Sequence, residues 1–170
     1  KLSNKEMEYL WRCIDNRKKS LKKNLAGQIH ESNILTDKSD WFWQNTLVPL
    51  CAEYSLKFNN LGSIIPVNQL HPYYLQQFWV NYQKEGEFNP LHDHGGVYSF
   101  VVWMKIPTKH FEQNKNPISL KSNTHLISAF QFHFLDILGQ HDSYTYEMNP
   151  EMEGTLVFFP AKLRHVVQSV

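Results

Sequence analysis

Two histidines separated by one residue could hold a metal ion together with a third, distant histidine. His92 and His94 lie in a segment bounded by Asn, Pro and Gly, and residues i and i+2 of an extended segment point to the same face. His165 follows an apolar run, residues 154–160, that ends in a proline. A closed β-sheet can bring such remote positions together, and imidazole suits iron and zinc. The pattern predicts a metal site; the alternative is two surface histidines in a glycine-rich turn and an unrelated strand histidine.

The other six histidines show no paired spacing, so we expect them at the surface or in the core. They are His30, His71, His110, His125, His133 and His141.

The elements that must position these histidines are two helices followed by strands. Apolar residues recur every three or four positions over residues 4–19, and again from residue 39 or 40 to 54, where Pro49 could kink or divide the helix. Short β-rich runs follow at residues 74–83, 97–106, 129–135, 143–148, 155–159 and from 163 onward. This order predicts a single, mainly β domain in which N-terminal helices (about 1–60) flank an antiparallel sandwich or barrel (about 66–170). We expect the helices to cover one outer face of the sheet and to bury Leu10, Trp11, Ile14, Leu47 and Leu50 against it. The polar residues 107–123 are expected to form a long surface loop.

The composition excludes a disordered or fibrous protein. The 170 residues are 42% hydrophobic and 14% aromatic, with a net charge of +1, which gives no overall field to attract nucleic acid or a membrane surface. The basic run at residues 17–23 is interpreted as solvated surface. Cys13 and Cys51 belong to no metal-spaced cluster, so we expect buried thiols in a reducing compartment. The sequence shows no signal-peptide pattern and no apolar run near the roughly 20 residues of a membrane span, which predicts a cytoplasmic protein.

Several blocks of the sequence resemble a known enzyme family. They are Trp79-Val80-Asn81, Gly86, the pair His92 and His94, residues 99–107 (SFVVWMKIP) and residues 154–165 (GTLVFFPAKLRH). In order and spacing they are similar to the 2-oxoglutarate/Fe(II) oxygenases of marine phages and bacteria, distant relatives of prolyl hydroxylases, from about residue 74 to the C-terminus. The resemblance implies a double-stranded β-helix (jelly-roll or cupin-like) that binds Fe(II), 2-oxoglutarate and O₂ and hydroxylates an unidentified substrate, with a peptide or protein side chain as one option. A phage-encoded enzyme would act in the host cytoplasm.

Two features depart from the pattern of that superfamily. A carboxylate usually occupies the position of His94, so the site has one negative charge fewer unless Asp93 turns inward and replaces it. An arginine about ten residues after the last histidine usually pairs with 2-oxoglutarate, and the sequence given stops at Val170. Within these residues Lys105 is the expected cation, while the resemblance and its strand position suggest Asn81 as a contact to the co-substrate or to a ligand imidazole. Lys105 would face the interior if Ser99, Val101 and Trp103 do. If Tyr98, Phe100, Val102 and Met104 face inward instead, Lys105 would lie at the surface and the expected anchor is an arginine beyond Val170.

Two other functions remain open at this point. A cupin-like metalloenzyme could use three histidines without 2-oxoglutarate, which suits His94 better than the oxygenase pattern does. A non-catalytic β-sandwich that serves as an interaction module is the other option. Measuring bound metal together with succinate release from 2-oxoglutarate would separate the three functions.

Overall fold

The computed structural model of the chain describes residues 1–18, 27–69, 71–117 and 119–169. Most of the basic run at residues 17–23 therefore lies outside the described residues. No helix among the residues described is both long enough and apolar enough to cross a membrane.

The first helix, α1 (Asn4–Asp15), begins with a reciprocal cap and packs one apolar face inward. The Oγ of Ser3 accepts a hydrogen bond from the backbone N–H of Glu6, and the Glu6 carboxylate accepts one from the N–H of Ser3. Leu10, Cys13 and Ile14 are buried at the spacing of one helical face. The helix is confirmed, although it ends at Asp15 rather than at residue 19.

The second helical segment is divided where Pro49 suggested. A 3₁₀ turn (Lys38–Asp40) and a π-helical turn (Trp43–Leu47) precede α2 (Val48–Lys57), which has Pro49 in its first turn, where a missing N–H costs no hydrogen bond. The carboxylate of Asp37 accepts hydrogen bonds from the backbone N–H groups of Phe42 and Trp43 and so holds the start of the segment. Both cysteines are buried in helices, as expected.

Among the described residues, eight strands form three antiparallel sheets. They are β1 (Glu31–Ile34), β2 (Trp79–Tyr82), β3 (Asn89–His92), β4 (Tyr98–Val102), β5 (Ala129–Leu135), β6 (His141–Glu147), β7 (Leu156–Pro160) and β8 (Arg164–Val167). The sheet orders are β1-β2, β3-β8-β5-β6 and β4-β7. Consecutive strands often belong to different sheets, as a jelly roll requires.

A core of aromatic side chains joins the four-stranded sheet to the β4-β7 pair. Phe130 and Phe132 of β5 pack with Phe159 of β7, and Val101 and Trp103 complete the cluster from β4 and the residue that follows it. The mainly β fold with N-terminal helices is therefore confirmed as a jelly roll of the double-stranded β-helix type.

The other face of β4 is covered by the N-terminal helices. Phe100 and Val102 pack against Leu10, Phe42 and Leu47, so β4 is enclosed on both faces. Leu10, Ile14 and Leu47 are buried as predicted, and Leu50 is half-buried. The prediction that Trp11 is buried is wrong, because 39% of this residue is exposed.

Several boundaries differ from those predicted. The strand predicted at residues 74–83 is shorter (β2, Trp79–Tyr82), and the one at 97–106 is β4, Tyr98–Val102. The sequence did not predict β1. The loop at residues 107–123 contains a short helix, α3 (His110–Gln113), within its described part.

Candidate metal centre

The three predicted histidines come together at one end of the β3-β8 pair. His92 and His165 are direct partners in the antiparallel register. His94 follows β3, and its backbone N–H donates to the carbonyl of Ala161 at 2.9 Å. One strand and the turn after it therefore supply two imidazoles, and the neighbouring strand supplies the third.

The ring nitrogens of these histidines could hold a single ion. One nitrogen from each of His92, His94 and His165 lies within 4.8 Å of those of the other two, and among the residues described this is the group of three with that property. Ligands bound at roughly 2.1 Å lie no more than about 4.2 Å apart, so a small rotation of the rings would close the site. The ring centroids are 4.2 Å apart for His92 and His165 and 4.9–5.0 Å for the other two pairs.

Backbone carbonyls determine which ring nitrogen of His92 and His165 is free to bind a metal ion. The Nδ1 of His92 lies 2.7 Å from the carbonyl oxygen of Pro90, and the Nδ1 of His165 lies 3.1 Å from that of Leu163. A carbonyl only accepts, so each Nδ1 carries the proton and each Nε2 keeps its lone pair for a metal. Such contacts fix both the tautomer and the ring orientation of a metal-binding histidine.

Burial keeps two of the imidazoles neutral. Burial lowers the pKa of His165 to about 4. It also lowers the pKa of His94, and the nearby His92 lowers the pKa of His94 further. Neutral imidazole is the form that binds a metal ion, so at neutral pH these side chains are prepared to do so without losing a proton.

Aromatic rings surround the buried side of the centre. Phe130 stacks on His165 at 5.4 Å between centroids, and Phe159 approaches the same ring edge-on at 5.1 Å. Trp79 of β2 contacts His94 edge-on at 5.6 Å and is half-buried. The site thus has an apolar inner wall, which limits access of water from the core side.

Asp93 points away from the histidines. Its carboxylate accepts a hydrogen bond from Lys162 at 3.0 Å, and this bond holds the pKa of Asp93 below its ordinary value. The side chains of residues 92–94 therefore point alternately toward and away from the centre, as expected. In this arrangement Asp93 does not replace His94 as a metal ligand.

The two residues predicted to contact the co-substrate lie on the wall of the cavity that contains the histidines. Asn81 is exposed on β2, and its Oδ1 accepts a hydrogen bond from Ser32 at 2.7 Å. Lys105 is exposed and lies three residues after the end of β4. Val101 and Trp103 do face the core between the sheets, but the strand ends before Lys105. Arg164 is exposed as well, and its partner in the register between β5 and β8 is His133.

Asn89 is the residue at this centre that sequence reasoning missed. It is 8% exposed, its Nδ2 lies 3.3 Å from the Nε2 of His92, and its buried Oδ1 has no hydrogen-bond partner among the described residues. The signal available in the sequence was an asparagine three residues before the first ligand, beside Pro90. The donor set of three imidazoles fits a divalent cation that also binds oxygen ligands.

The structure also brings together two histidines that sequence spacing did not pair. The Nδ1 of His133 on β5 lies 3.3 Å from the Nε2 of His141 on β6. They approach across the hairpin between these strands, away from the metal centre. His110 is buried, and its Nδ1 lies 3.2 Å from the carbonyl oxygen of Ser128.

Comparison with known proteins gives one family. A family model described as "Putative 2OG-Fe(II) oxygenase" matches residues 77–170, which is more than half of the chain and includes all three histidines. No curated protein and no solved structure matched the chain.

Proposed function

The chain belongs to the 2OG-Fe(II) oxygenase family, and from that premise we propose that it is a dioxygenase that uses Fe(II), 2-oxoglutarate and O₂ to hydroxylate a substrate. The observation that supports this most strongly is the cluster of His92, His94 and His165 inside the matched region. In this proposal the Nε2 lone pairs of His92 and His165 and one ring nitrogen of His94 hold Fe(II), and the bound iron with its co-substrate supplies the oxidising chemistry.

The neutral ligand set has an electrostatic consequence for the co-substrate. Three imidazoles leave the 2+ charge of the ion uncompensated, whereas a carboxylate ligand would reduce it by one. The centre would therefore attract the dianion of 2-oxoglutarate more strongly than a centre with one carboxylate. Its affinity for the metal itself would be lower for the same reason.

The co-substrate needs further contacts, and we propose Lys105 and Asn81 for them. A carboxylate buried without a partner is costly, so the end of 2-oxoglutarate that is not on the metal requires a cation or donors. Lys105 lines the same cavity as the histidines. The amide nitrogen of Asn81 is available for an acceptor, since its hydrogen bond to Ser32 uses the oxygen.

The chain's own residues would orient the ligands and exclude water. The carbonyls of Pro90 and Leu163 fix two imidazoles, and Phe130 and Phe159 cover His165 on the core side. Such an apolar surrounding strengthens the electrostatic contacts of the site and keeps water from its reactive species.

The size of the cavity supports a substrate larger than a small metabolite. Its volume is about 1350 Å³, above the roughly 300–1,000 Å³ of ordinary small-molecule pockets. Its wall includes residues from two loops, among them Gly62, Val67 and Pro72 from one and Pro107 and Thr108 from the other. We propose these loops as the rim of the substrate site and a peptide or protein side chain as the substrate class to test first.

The test is an anaerobic titration of the protein with Fe(II) and then 2-oxoglutarate. We expect a weak visible charge-transfer band when 2-oxoglutarate chelates the bound iron, followed by succinate release once O₂ is admitted. The His165→Gln variant should give neither signal. The His133→Gln variant, which removes a histidine outside the centre, should behave as the wild type. Bound iron without a band in the wild-type protein would contradict the proposal.

A second function is favoured by one observation, the imidazole of His94 at the carboxylate position. A cupin-like three-histidine metalloenzyme would bind the metal and leave 2-oxoglutarate unchanged. In the same titration, metal binding that depends on His165 but yields no band and no succinate would support that function. Failure to bind any metal would instead favour a non-catalytic interaction module.

A further inference from the structure

A β-bulge places Asn89 beside the metal centre. In a regular strand residues i and i+3 point to opposite faces, yet the Asn89 amide reaches the ring of His92. The register between β3 and β8 shifts between these two residues, where Pro90 supplies no N–H to the ladder. The bulge thus turns the amide to the side on which the imidazoles converge.

The amide and a metal ion would compete for one lone pair. Because the Nδ1 of His92 donates to the carbonyl of Pro90, its Nε2 holds the ring's only lone pair in the plane. The Nδ2 of Asn89 lies 3.3 Å from that Nε2 and donates to it. A metal ion bound at Nε2 takes the lone pair, and the amide N–H then loses its acceptor.

Within the part of the chain that the structure describes, the Asn89 amide has no second hydrogen-bond acceptor. Asn89 is 8% exposed, and among the described residues its side chain makes one hydrogen bond, to His92. On the other side of the amide is Gly27, where even a Cβ atom would lie 2.4 Å from the Asn89 Oδ1. A buried donor without an acceptor is costly, so metal binding makes the site favour a ligand that brings an oxygen beside His92.

We propose that Asn89 donates a hydrogen bond to the metal-bound carboxylate of the co-substrate and that metal binding releases this donor for the purpose. The inference rests on the proposed function, because it requires an oxyanion bound next to the metal. In this role Asn89 binds the co-substrate and couples the two binding steps. Its amide slightly lowers the affinity for the metal ion and then raises the affinity for the co-substrate anion.

Two other roles for Asn89 make different predictions. If its amide turned so that Oδ1 became a fourth metal ligand, removal of the side chain would weaken metal binding. If the residue only stabilised the bulge, its removal would lower stability and change the two affinities together or leave both unchanged. The proposed role requires opposite effects: metal affinity is kept or increased, and co-substrate affinity is lost.

The experiment compares Asn89→Leu with wild type by optical titration, first with Co(II) and then with 2-oxoglutarate on the Co(II)-loaded protein. We expect Co(II) affinity equal to or above that of wild type and 2-oxoglutarate affinity about tenfold to a hundredfold lower, the usual effect of losing a hydrogen bond to a charged group. Asn33→Leu is the matched control, because Asn33 is also 8% exposed but lies on β1. Both of its affinities should match wild type. Asn89→Ala replaces the leucine variant if far-UV circular dichroism shows that the latter is unfolded.

Each contrary result has a distinct meaning. Weaker Co(II) binding in the Asn89 variant, or unchanged 2-oxoglutarate affinity, would overturn the assignment while leaving the proposed function intact. If Co(II)-loaded wild type binds no 2-oxoglutarate, the proposed function is wrong and the role of Asn89 is overturned with it.

Discussion

Replacement of Phe42 by alanine should weaken the packing of the helical layer against the sheet. Phe42 is completely buried and packs between the helices and β4. Its ring lies parallel to that of Phe78 at 5.8 Å and tilted against Phe100 at 5.8 Å. The variant would therefore lose a whole aromatic side chain from a site with strand residues on one side and helix residues on the other.

The expected loss of stability is about 4 kcal/mol. Truncation of a buried phenylalanine to alanine costs roughly 3–5 kcal/mol, and each aromatic pair adds about 0.5–1.5 kcal/mol to the burial of area. The strand side of the cavity cannot collapse easily, since β4 is packed on its other face as well. A loss of about 4 kcal/mol would lower the melting temperature of a chain of this size by roughly 8–16 °C.

Equilibrium urea unfolding of the metal-free protein, followed by far-UV circular dichroism, measures this loss. Trp11→Ala is the comparison, because Trp11 belongs to the same layer but is 39% exposed; we expect it to lose less than about 1.5 kcal/mol. The slope with urea should stay constant in both variants. A loss below about 1.5 kcal/mol for Phe42→Ala, or equal losses for the two variants, would refute the packing argument.

Three further predictions concern the metal centre. Co(II) at about 100 times its dissociation constant should stabilise the wild type by about 2.7 kcal/mol and His165→Gln not at all, as measured by thermal denaturation; equal shifts would place the metal elsewhere. Lys105→Ala should weaken 2-oxoglutarate binding to the metal-loaded protein at least about tenfold by calorimetry while Lys109→Ala does not, and equal affinities would exclude Lys105 as the anchor. His94→Asp should raise metal affinity in a chelator competition assay because it adds a negative charge to the ligand set, and weaker binding would contradict the electrostatic argument.

The three ligands could be predicted because their positions depend on simple regularities. Side chains two residues apart share a face of an extended segment, so His92 and His94 had to converge while Asp93 pointed away. His165 followed an apolar run whose strand, β7, and the next strand, β8, were both anticipated. The flanking helices followed from helical spacing in the same way.

Features that depend on register or on a bulge could not be predicted. Asn89 reaches His92 because an irregularity interrupts the β3-β8 ladder, and no residue pattern states where such a shift occurs. His133 and His141 meet because the β5-β6 hairpin sets them on neighbouring positions of one face. Trp11 has the spacing of a core residue, but 39% of it is exposed, which periodicity alone does not resolve.

The direct pairing of His92 with His165 has a consequence for how the protein is made. His92 lies on β3 and His94 directly after it, and the third ligand lies on β8, the last strand among the described residues. A long loop must close before these positions meet, and its closure entropy is lost before any contact between them forms. During synthesis a nascent chain therefore has no complete metal centre until β8 has been translated and has docked. Metal uptake would then follow the docking of β8 rather than start folding.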